Sequence, residues 1–207
     1  IDNYFTTTHP DEIKTFINKR KINYLPIPVD ENIENLEIYN FKNRYKDIFF
    51  ALSHGVNYGK LKRGKKDERE IFLENLLKQF PKFNYNILGI ANEPPKWNYD
   101  FMDELSKCKM ALNLSRGKPI KYTSSNRIAS LIGNGIYTFI DKKTKFTNFF
   151  DEDEVGSYNN INELGTKIEY FLSNEDKLNK FAKNGRKKYF KLFNNKKITK
   201  EILDKIF

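Results

Sequence analysis

The sequence predicts a doubly wound α/β fold, in which a parallel, Rossmann-like sheet carries helices on both faces and is followed by C-terminal helices. One observation is the regular alternation of short apolar segments, typical of strands, with segments whose apolar residues recur at helical spacing. Another is the unit Met110–Ile140, in which an apolar strand, a polar basic loop, a helix and a second strand follow one another. Strands separated by helices imply a parallel sheet with right-handed crossovers.

The first forty residues contain two short predicted strands and a connector. Asn3–Thr7 is rich in β-forming residues, and His9 opens an acidic helical turn that we expect to continue to about Asn18. Ile22–Pro26 is the second predicted strand. The prolines and polar residues after it predict a domain boundary near residue 40.

From residue 47 onward, strands and helices alternate. The predicted strands are Asp47–Leu52, Tyr85–Ile90, Lys109–Leu114, Ile136–Ile140 and Val155–Tyr158. The predicted helices are Asp67–Phe80, Tyr99–Lys107, Ser124–Gly133, Asn160–Leu172, Glu175–Phe193 and Thr199–Phe207. We therefore expect one α/β layer structure whose ligand crevice lies at the carboxyl ends of the strands.

Composition narrows the classes of partner. The 207 residues are 39% hydrophobic, which is enough for a core, and the net charge of +10 suits nucleotide phosphates, nucleic acid or an anionic membrane surface. Much of the excess charge lies in Lys60–Lys66 and Lys177–Lys200, and a lysine-rich helix is more often a solvated face than a binding surface. Nucleic acid is the least favoured partner, because no base-reading motif accompanies the charge.

Other sequence patterns argue against disulfides, metal sites and membrane-spanning segments. The single cysteine, Cys108, excludes an internal disulfide and indicates a reducing compartment. No Cys/His cluster is present and the acidic run Asp151–Glu154 is interpreted as solvated, so we expect neither a metal ion nor a cofactor. There is no apolar run of about 18 residues and no signal-peptide pattern. We expect a cytoplasmic protein, with a peripheral membrane contact left open, and a piece of a longer chain, because the sequence begins with Ile1.

Three predicted loops follow strands at the edge where an open parallel sheet binds its ligands: Ser53–Lys66, Ile90–Trp97 and Ser115–Ser125. Basic side chains around a helix start are typical of a phosphate site, because the first backbone N–H groups and the helix dipole also favour an anion. The candidate residues are His54, Gly55, Lys62, Arg69, Ser115, Arg116, Ser124, Ser125, Asn126 and Arg127.

Arg127 is the strongest candidate. A guanidinium in the first turn of a helix is unfavourable with the dipole unless an anion also binds there; the alternative is a surface arginine paired with an acidic neighbour. Ser124 and Ser125 either cap the helix or bind the ligand. His54 either contacts a phosphate or sugar or is incidental. Trp97 and Tyr99 could stack on a nucleobase, but in a chain so rich in aromatic residues we expect them to pack in the core.

The segment Ala111–Arg116 (ALNLSR) is followed at a short distance by Asn126–Gly135 (NRIASLIGNG). This pair of segments is the strongest part of a resemblance, in order and spacing, to the nucleotide-sugar-binding half of a GT-B glycosyltransferase, and it is most similar to the CgeB-like (spore-protein-type) group. Tyr24–Asp30 resembles the strand that leads into the family's interdomain linker, and Arg69 matches an arginine at the start of a helix. Ile161–Asn195 resembles the closing helices of the fold.

The resemblance implies three parts: residues 1–40 as the end of an N-terminal domain plus linker, 41–195 as the Rossmann-like nucleotide-sugar-binding domain, and 196–207 as a C-terminal helix. It implies that Arg127 binds the donor diphosphate. One departure matters, because many members have a glutamate that binds the donor ribose where this sequence has Ser130. Ribose recognition would then come from elsewhere, for example Asn126, or catalysis has been lost.

We therefore expect the donor-binding domain of a metal-independent glycosyltransferase that moves a sugar from a nucleoside-diphosphate sugar to an unknown glycan, lipid or protein acceptor. We expect it to be metal-independent because metal-dependent sugar transferases use an Asp-x-Asp pattern, which we do not identify in this sequence. Arg127 and the backbone N–H groups of Ser124 and Ser125 would neutralise the leaving diphosphate. The acceptor site and catalytic base would lie largely on an N-terminal domain, so we expect this chain alone to be inactive. The alternative is a non-catalytic module that holds a nucleotide or a partner protein, and Ser130 favours it.

Overall fold

The structure is a computed structural model that describes residues 3–13, 18, 21–52, 68–90 and 93–207. The strands in these ranges are β1 (Tyr4–Thr6), β2 (Ile22–Tyr24), β3 (Lys46–Ala51), β4 (Tyr85–Leu88), β5 (Cys108–Asn113), β6 (Tyr137–Asp141) and β7 (Gly156–Tyr158). The last five form one sheet in the order β4-β3-β5-β6-β7, and all of its neighbours are parallel. Strands β1 and β2 form a separate parallel pair.

Helices connect the strands and close the chain. They are α1 (Glu68–Gln79), α2 (Asn98–Ser106), α3 (Asn126–Gly133), α4 (Ile161–Leu172), α5 (Glu175–Phe193) and α6 (Asn195–Ile206). The predicted α/β fold with a parallel sheet is confirmed, since the five-stranded sheet is flanked by helices in the predicted order.

Helices cover both faces of the sheet. Phe50 of β3 lies in a buried cluster that includes Leu76 of α1 and Ile168 of α4. Its neighbour Phe49 lies in a different cluster with Leu105 of α2 and Leu131 of α3. Successive side chains of a strand point to opposite faces, so this change of cluster places α1 and α4 on one face and α2 and α3 on the other.

The connector after β2 is fastened to the domain. The N–H of Val29 donates to the carbonyl of Phe193 at 3.0 Å, and the Val29 carbonyl accepts from the N–H of Asn195 at 2.9 Å. Further along, the N–H of Ile38 donates to the carbonyl of Asn134 at 2.9 Å. The segment therefore runs along helices α3 and α5 and buries Val29 and Ile38 in the core.

Local capping explains two differences from the predicted boundaries. Helix α3 begins at Asn126 rather than Ser124, because the Ser125 hydroxyl caps it by accepting the N–H of Ile128 at 3.4 Å. Helix α6 begins at Asn195 rather than Thr199, because the side chain of Asn194 accepts the N–H of Lys197 at 2.9 Å.

The helix predicted to follow His9 is only partly described. Pro10–Glu12 forms a single 3-10 turn, which the His9 side chain caps by accepting the N–H of Asp11. The turn ends at Ile13, whose backbone is extended. The rest of that predicted helix falls mostly outside the described residues.

Gly185 gives a direct test of the packing of α5. A Cβ atom at this helical position would overlap the main-chain carbonyl oxygen of Glu154, which cannot move away as a flexible side chain can. We expect Gly185→Ala to lower the free energy of unfolding by about 1–3 kcal/mol in urea denaturation, as overpacked cores do. Lys187→Ala, at an exposed position of the same helix, is the control, and equal stability of the two variants would contradict the packing.

The contribution of Glu104 to the stability of the protein is expected to depend on pH. Although burial opposes its ionisation, hydrogen bonds from Lys96, Asn86 and Lys107 hold the pKa of Glu104 at about 2, below the value of about 4.3 in an unfolded chain. A lowered carboxyl pKa contributes stability above the unfolded pKa, and that stability is lost as the pH falls through the folded pKa.

We therefore expect Glu104→Gln to destabilise the protein at pH 6 and the difference from the unmodified chain to shrink between about pH 4 and pH 2. Urea denaturation across this range measures it. Glu169→Gln, on the exposed face of α4, should change stability by no more than about 0.5 kcal/mol. A Glu104→Gln effect of the same size at pH 2 and pH 6 would show that the ion pairs are not its source.

Candidate functional site

Arg127 lies where the carboxyl ends of β3 and β5 meet the start of α3. Its guanidinium donates from Nη1 to the carbonyl of Ala51 at 3.0 Å, from Nη2 to the carbonyl of Leu114 at 2.5 Å, and from Nε to Oδ1 of Asn113 at 3.3 Å. The guanidinium carbon also lies 4.9 Å from the centre of the Phe50 ring. These contacts fix a positive charge at the strand ends.

The same contacts bear on the expectation that an anion binds beside Arg127. An arginine in the first turn of a helix needs a partner that offsets the positive end of the helix dipole, and a bound anion is one such partner. In the structure, two carbonyl oxygens and an aromatic face already supply part of that compensation. The case for an anion therefore depends on the residues around Arg127.

Most of the described candidates share one cavity, which we call the basic cavity. Its volume is about 370 Å³. The described residues that line it are Arg69, Asn113, Leu114, Ser115, Arg116, Lys118, Ile120, Thr123, Ser125, Asn126 and Arg127. Six of the predicted site residues are thus brought together, although Arg69 is on α1 and the others belong to the loop after β5 and the first turn of α3.

The charge of the basic cavity is one-sided. Arg69, Arg116, Lys118 and Arg127 line it, and none of its described lining residues is acidic. The first turn of α3 adds the positive end of a helix dipole at Ser125 and Asn126. A cluster of cations beside a helix start is suited to an anion with several negative charges, such as a diphosphate.

Ser124 has a different position from its neighbour. It is 4% exposed and, unlike Ser125, does not line the basic cavity. Its N–H donates to the carbonyl of Thr7 at 2.9 Å, and its hydroxyl accepts the N–H of Ile27 at 3.0 Å. Because its N–H and its hydroxyl both form hydrogen bonds within the chain, Ser124 anchors the loop to the N-terminal segment. The prediction that its N–H binds a diphosphate is therefore wrong.

The loop before α3 has other contacts with the N-terminal segment. The N–H of His9 donates to the carbonyl of Lys121 at 3.1 Å, and the rings of His9 and Tyr122 lie 5.2 Å apart. Tyr122 has a φ of 58°, which is costly for a bulky residue and persists only where the surroundings hold it. The residues before β2 therefore help to shape the loop that carries part of the basic cavity.

A second cavity adjoins the first on the other side of Arg127, and we call it the linker cavity. Its volume is about 660 Å³. Arg127 and Asn126 line both cavities. The other described residues that line the linker cavity are Ile27, Pro28, Ile33, Glu34, Ala51, Leu52, Pro95, Lys96, Trp97, Asn98, Phe101, Met102, Ala129 and Ser130.

Trp97 and Tyr99 are not in the core, so the expectation of core packing is wrong for both. Trp97 is 54% exposed and lines the linker cavity, and Tyr99 is 91% exposed. The adjacent Lys96 forms an ion pair of 2.7 Å with Glu104. The linker cavity thus has a flat aromatic wall beside a fixed ammonium group, an arrangement suited to a ring system.

Glu34 is a site residue that sequence reasoning did not identify. It belongs to the connector, and it reaches the linker cavity only because the connector folds back along α3. Burial raises the pKa of its carboxyl group. Asn113 is another residue that the sequence did not single out. A polar residue at the end of an apolar strand is a signal for a site, and here its Oδ1 accepts a hydrogen bond from Nε of Arg127.

Three predicted residues lie outside the described residues. They are His54, Gly55 and Lys62, together with the rest of the loop Ser53–Lys66.

The described residues also bear on metals and membranes. No group of three or more His, Cys, Asp or Glu side chains suited to a metal ion occurs among them. The expectation that no Asp-x-Asp pattern is present is wrong, because Asp151 and Asp153 have this spacing. They precede β7 and so lie at the edge of the sheet opposite to the cavities. Of the helices in the described ranges, none combines the length and apolar character that crossing a membrane requires.

Comparison with known proteins identifies the family. The family model described as glycosyl transferase-like matches residues 65–204, and no curated protein sequence matches the chain. Among solved structures, HepE of Anabaena in complex with UDP and glucose superposes with a TM-score of 0.66 at 11% identity, over 99% of this chain and 62% of HepE. Sucrose-phosphate synthase from Thermosynechococcus elongatus gives 0.61 at 11% identity, over 97% of this chain and 56% of the synthase.

These structures show the fold, and the chain spans about three-fifths of their length. Another structure of HepE, in complex with UDP-glucose, gives a TM-score of 0.65 at 11% identity, over 99% of this chain and 63% of HepE. The CgeB-like subgroup stays a prediction. Because the family model covers more than half of the 207 residues, the chain belongs to the glycosyl transferase-like family, and its fold agrees with that of these solved structures.

Proposed function

We propose that this chain is the donor-binding part of a metal-independent glycosyltransferase, and that the basic cavity holds the diphosphate of a nucleoside-diphosphate sugar. The observation that carries the proposal is the meeting of Arg69, Arg116, Lys118 and Arg127 in one cavity at the start of α3. The nucleotide sugar is the donor substrate, and no separate cofactor takes part.

The geometry supports a division of the donor between the two cavities. Arg127 and Asn126 line both, so a ligand with phosphates near Arg127 can extend its nucleoside into the linker cavity. Trp97 offers that cavity an exposed aromatic face on which a base could stack. The volume of about 660 Å³ lies within the range of about 300–1,000 Å³ that is usual for ligand sites.

The chemistry follows from the charge. In sugar transfer, the bond between the anomeric carbon and the diphosphate oxygen breaks, the acceptor oxygen bonds to that carbon and gives its proton to a base, and negative charge develops on the departing diphosphate. Cations held in place before the reaction stabilise that charge without reorganisation, which is the largest catalytic effect such a site can offer. Arg127 is suited to this role because its contacts with Ala51 and Leu114 fix its position.

UDP is the first nucleotide to test. The HepE structures contain UDP with glucose in one case and UDP-glucose in another, and they share the fold of this chain.

The proposal also covers the acceptor, which would be a glycan, a lipid or a protein, and the subgroup of the family, which would be similar to CgeB. The exposed Leu203, Ile206 and Phe207 at the end of α6 support a peripheral surface contact, including one with a membrane.

A non-catalytic nucleotide-binding module is the second candidate. Ser130, which lines the linker cavity with an uncharged side chain, is the observation that favours it. Release of glucose from UDP-glucose, measured beside nucleotide binding, distinguishes the two. Binding with release supports the transferase, and binding without release favours the module.

We expect Arg127→Gln to weaken UDP binding about 10- to 100-fold, because a hydrogen bond to a charged group contributes about 1.5–3 kcal/mol. Isothermal titration calorimetry measures the affinity, and thermal melting verifies that the variant is folded. Lys187→Gln, an exposed change of the same charge on α5, should leave the affinity unchanged. A folded Arg127→Gln variant that binds UDP as tightly as the unmodified chain would disprove the placement of the diphosphate.

We also expect UDP to bind at least about tenfold more tightly than uridine, because the cations of the basic cavity act on the phosphates. The preference should decrease as NaCl is raised from about 0.05 to 0.5 M, since salt screens the charges. Adding a chelator should leave the affinity for UDP unchanged. Equal affinities for UDP and uridine would show that the basic cavity does not bind the phosphates.

A further inference from the structure

Glu34 is the one acidic side chain among the described residues that line the linker cavity. It ends a turn of the connector in which the N–H groups of Ile33 and Glu34 both donate to the carbonyl of Asp30, at 3.0 and 2.8 Å. The residue is 9% exposed, and it shares the cavity with Ser130 and Arg127 of α3. A carboxylate from the connector therefore reaches the same space as the first turns of α3.

The position of Glu34 is set by Gly133. A Cβ atom at Gly133 would lie 2.7 Å from Cγ and 2.8 Å from Cβ of Glu34, so only a residue without a side chain lets the glutamate lie this close to the helix. Arg186 ties the two together, since its Nε donates to the carbonyl of Gly133 at 2.8 Å and its Nη2 to the carbonyl of Glu34 at 3.1 Å. Ser130 is one helical turn before Gly133 and so lies on the same side of α3.

The carboxylate itself has few protein donors. Its Oε2 accepts the N–H of Asp30 at 2.9 Å. No lysine or arginine in the described part of the chain forms an ion pair with it, and Arg186 instead pairs with Glu37 at 3.4 Å. A desolvated carboxylate with acceptor capacity left over gains from hydroxyl donors of a ligand.

We propose that Glu34 accepts hydrogen bonds from the ribose hydroxyls of the bound nucleotide and so makes the site selective for ribonucleotides. This inference rests on the proposed function, in which Arg127 holds the diphosphate and the nucleoside occupies the linker cavity. Ribose carries two neighbouring hydroxyls, and a carboxylate has two oxygens with which to accept them. Glu34 and Arg127 line one cavity with opposite charges, as a ligand with hydroxyls on one side and phosphates on the other requires.

Calorimetric titration with UDP, 2′-deoxy-UDP and 3′-deoxy-UDP tests the inference. We expect the unmodified chain to bind at least one deoxy analogue about tenfold more weakly than UDP, a difference of about 1.4 kcal/mol. Glu34→Gln should weaken UDP and reduce this ratio to about twofold or less, because the charged acceptor is lost. Glu31→Gln, an exposed residue of the same turn that does not line the linker cavity, should keep the ratio of the unmodified chain.

Gly133→Ala provides a second variant that leaves the carboxylate in the sequence but displaces it from the helix. We expect it to reduce the same ratio, with thermal melting to confirm folding. If the unmodified chain binds UDP and both analogues equally, or if Glu34→Gln keeps the ratio, the role of Glu34 is disproved while the proposed function stands, provided that Arg127→Gln still weakens all three. If no nucleotide binds to the unmodified chain, both proposals fail.

Discussion

The hydrogen bonds from Arg127 to the carbonyls of Ala51 and Leu114 are the constraint around which the site is built. They join the first turn of α3 to the ends of two neighbouring strands of the sheet, so the helix, both strands and the two cavities share one fixed point. A half-buried guanidinium needs such partners, because the cost of leaving its donors unsatisfied exceeds the gain from placing a charge there. The positive charge of Arg127 is therefore held in place between the two cavities before a ligand binds.

The connector supplies the part of the linker cavity that the sheet and α3 do not form. Its backbone is held by Asn134, which follows α3, and by the junction of α5 and α6, where Val29 bonds to Phe193 and Asn195. Arg186 adds a further link between Gly133 and Glu34. In this way a segment that precedes the α/β domain supplies one wall of the linker cavity.

The order of strands and helices could be predicted from local pattern, because a strand or helix that covers a core repeats its apolar residues at its own period. The bounds of α5 were predicted at both ends, and the strands of the sheet to within two residues. The grouping of Arg116, Ser125 and Arg127 followed from the rule that ligands bind at the carboxyl ends of parallel strands. These inferences needed only residues close together in the sequence.

The remaining features depend on contacts between distant parts of the chain. Ser124 and Ser125 are alike in sequence, and only the position of Thr7 and Ile27 makes the first an anchor and the second a cap. Likewise, nothing local marks Glu34 as a neighbour of Gly133.

The contacts of the connector have a practical consequence for shortened forms of the protein. A protein trimmed to start at residue 41 would lose Val29 and Ile38, and the apolar side chains of α3 and α5 that these two residues cover would be exposed to water. The connector, which reads in the sequence as a simple link between domains, is an integral part of the packed structure.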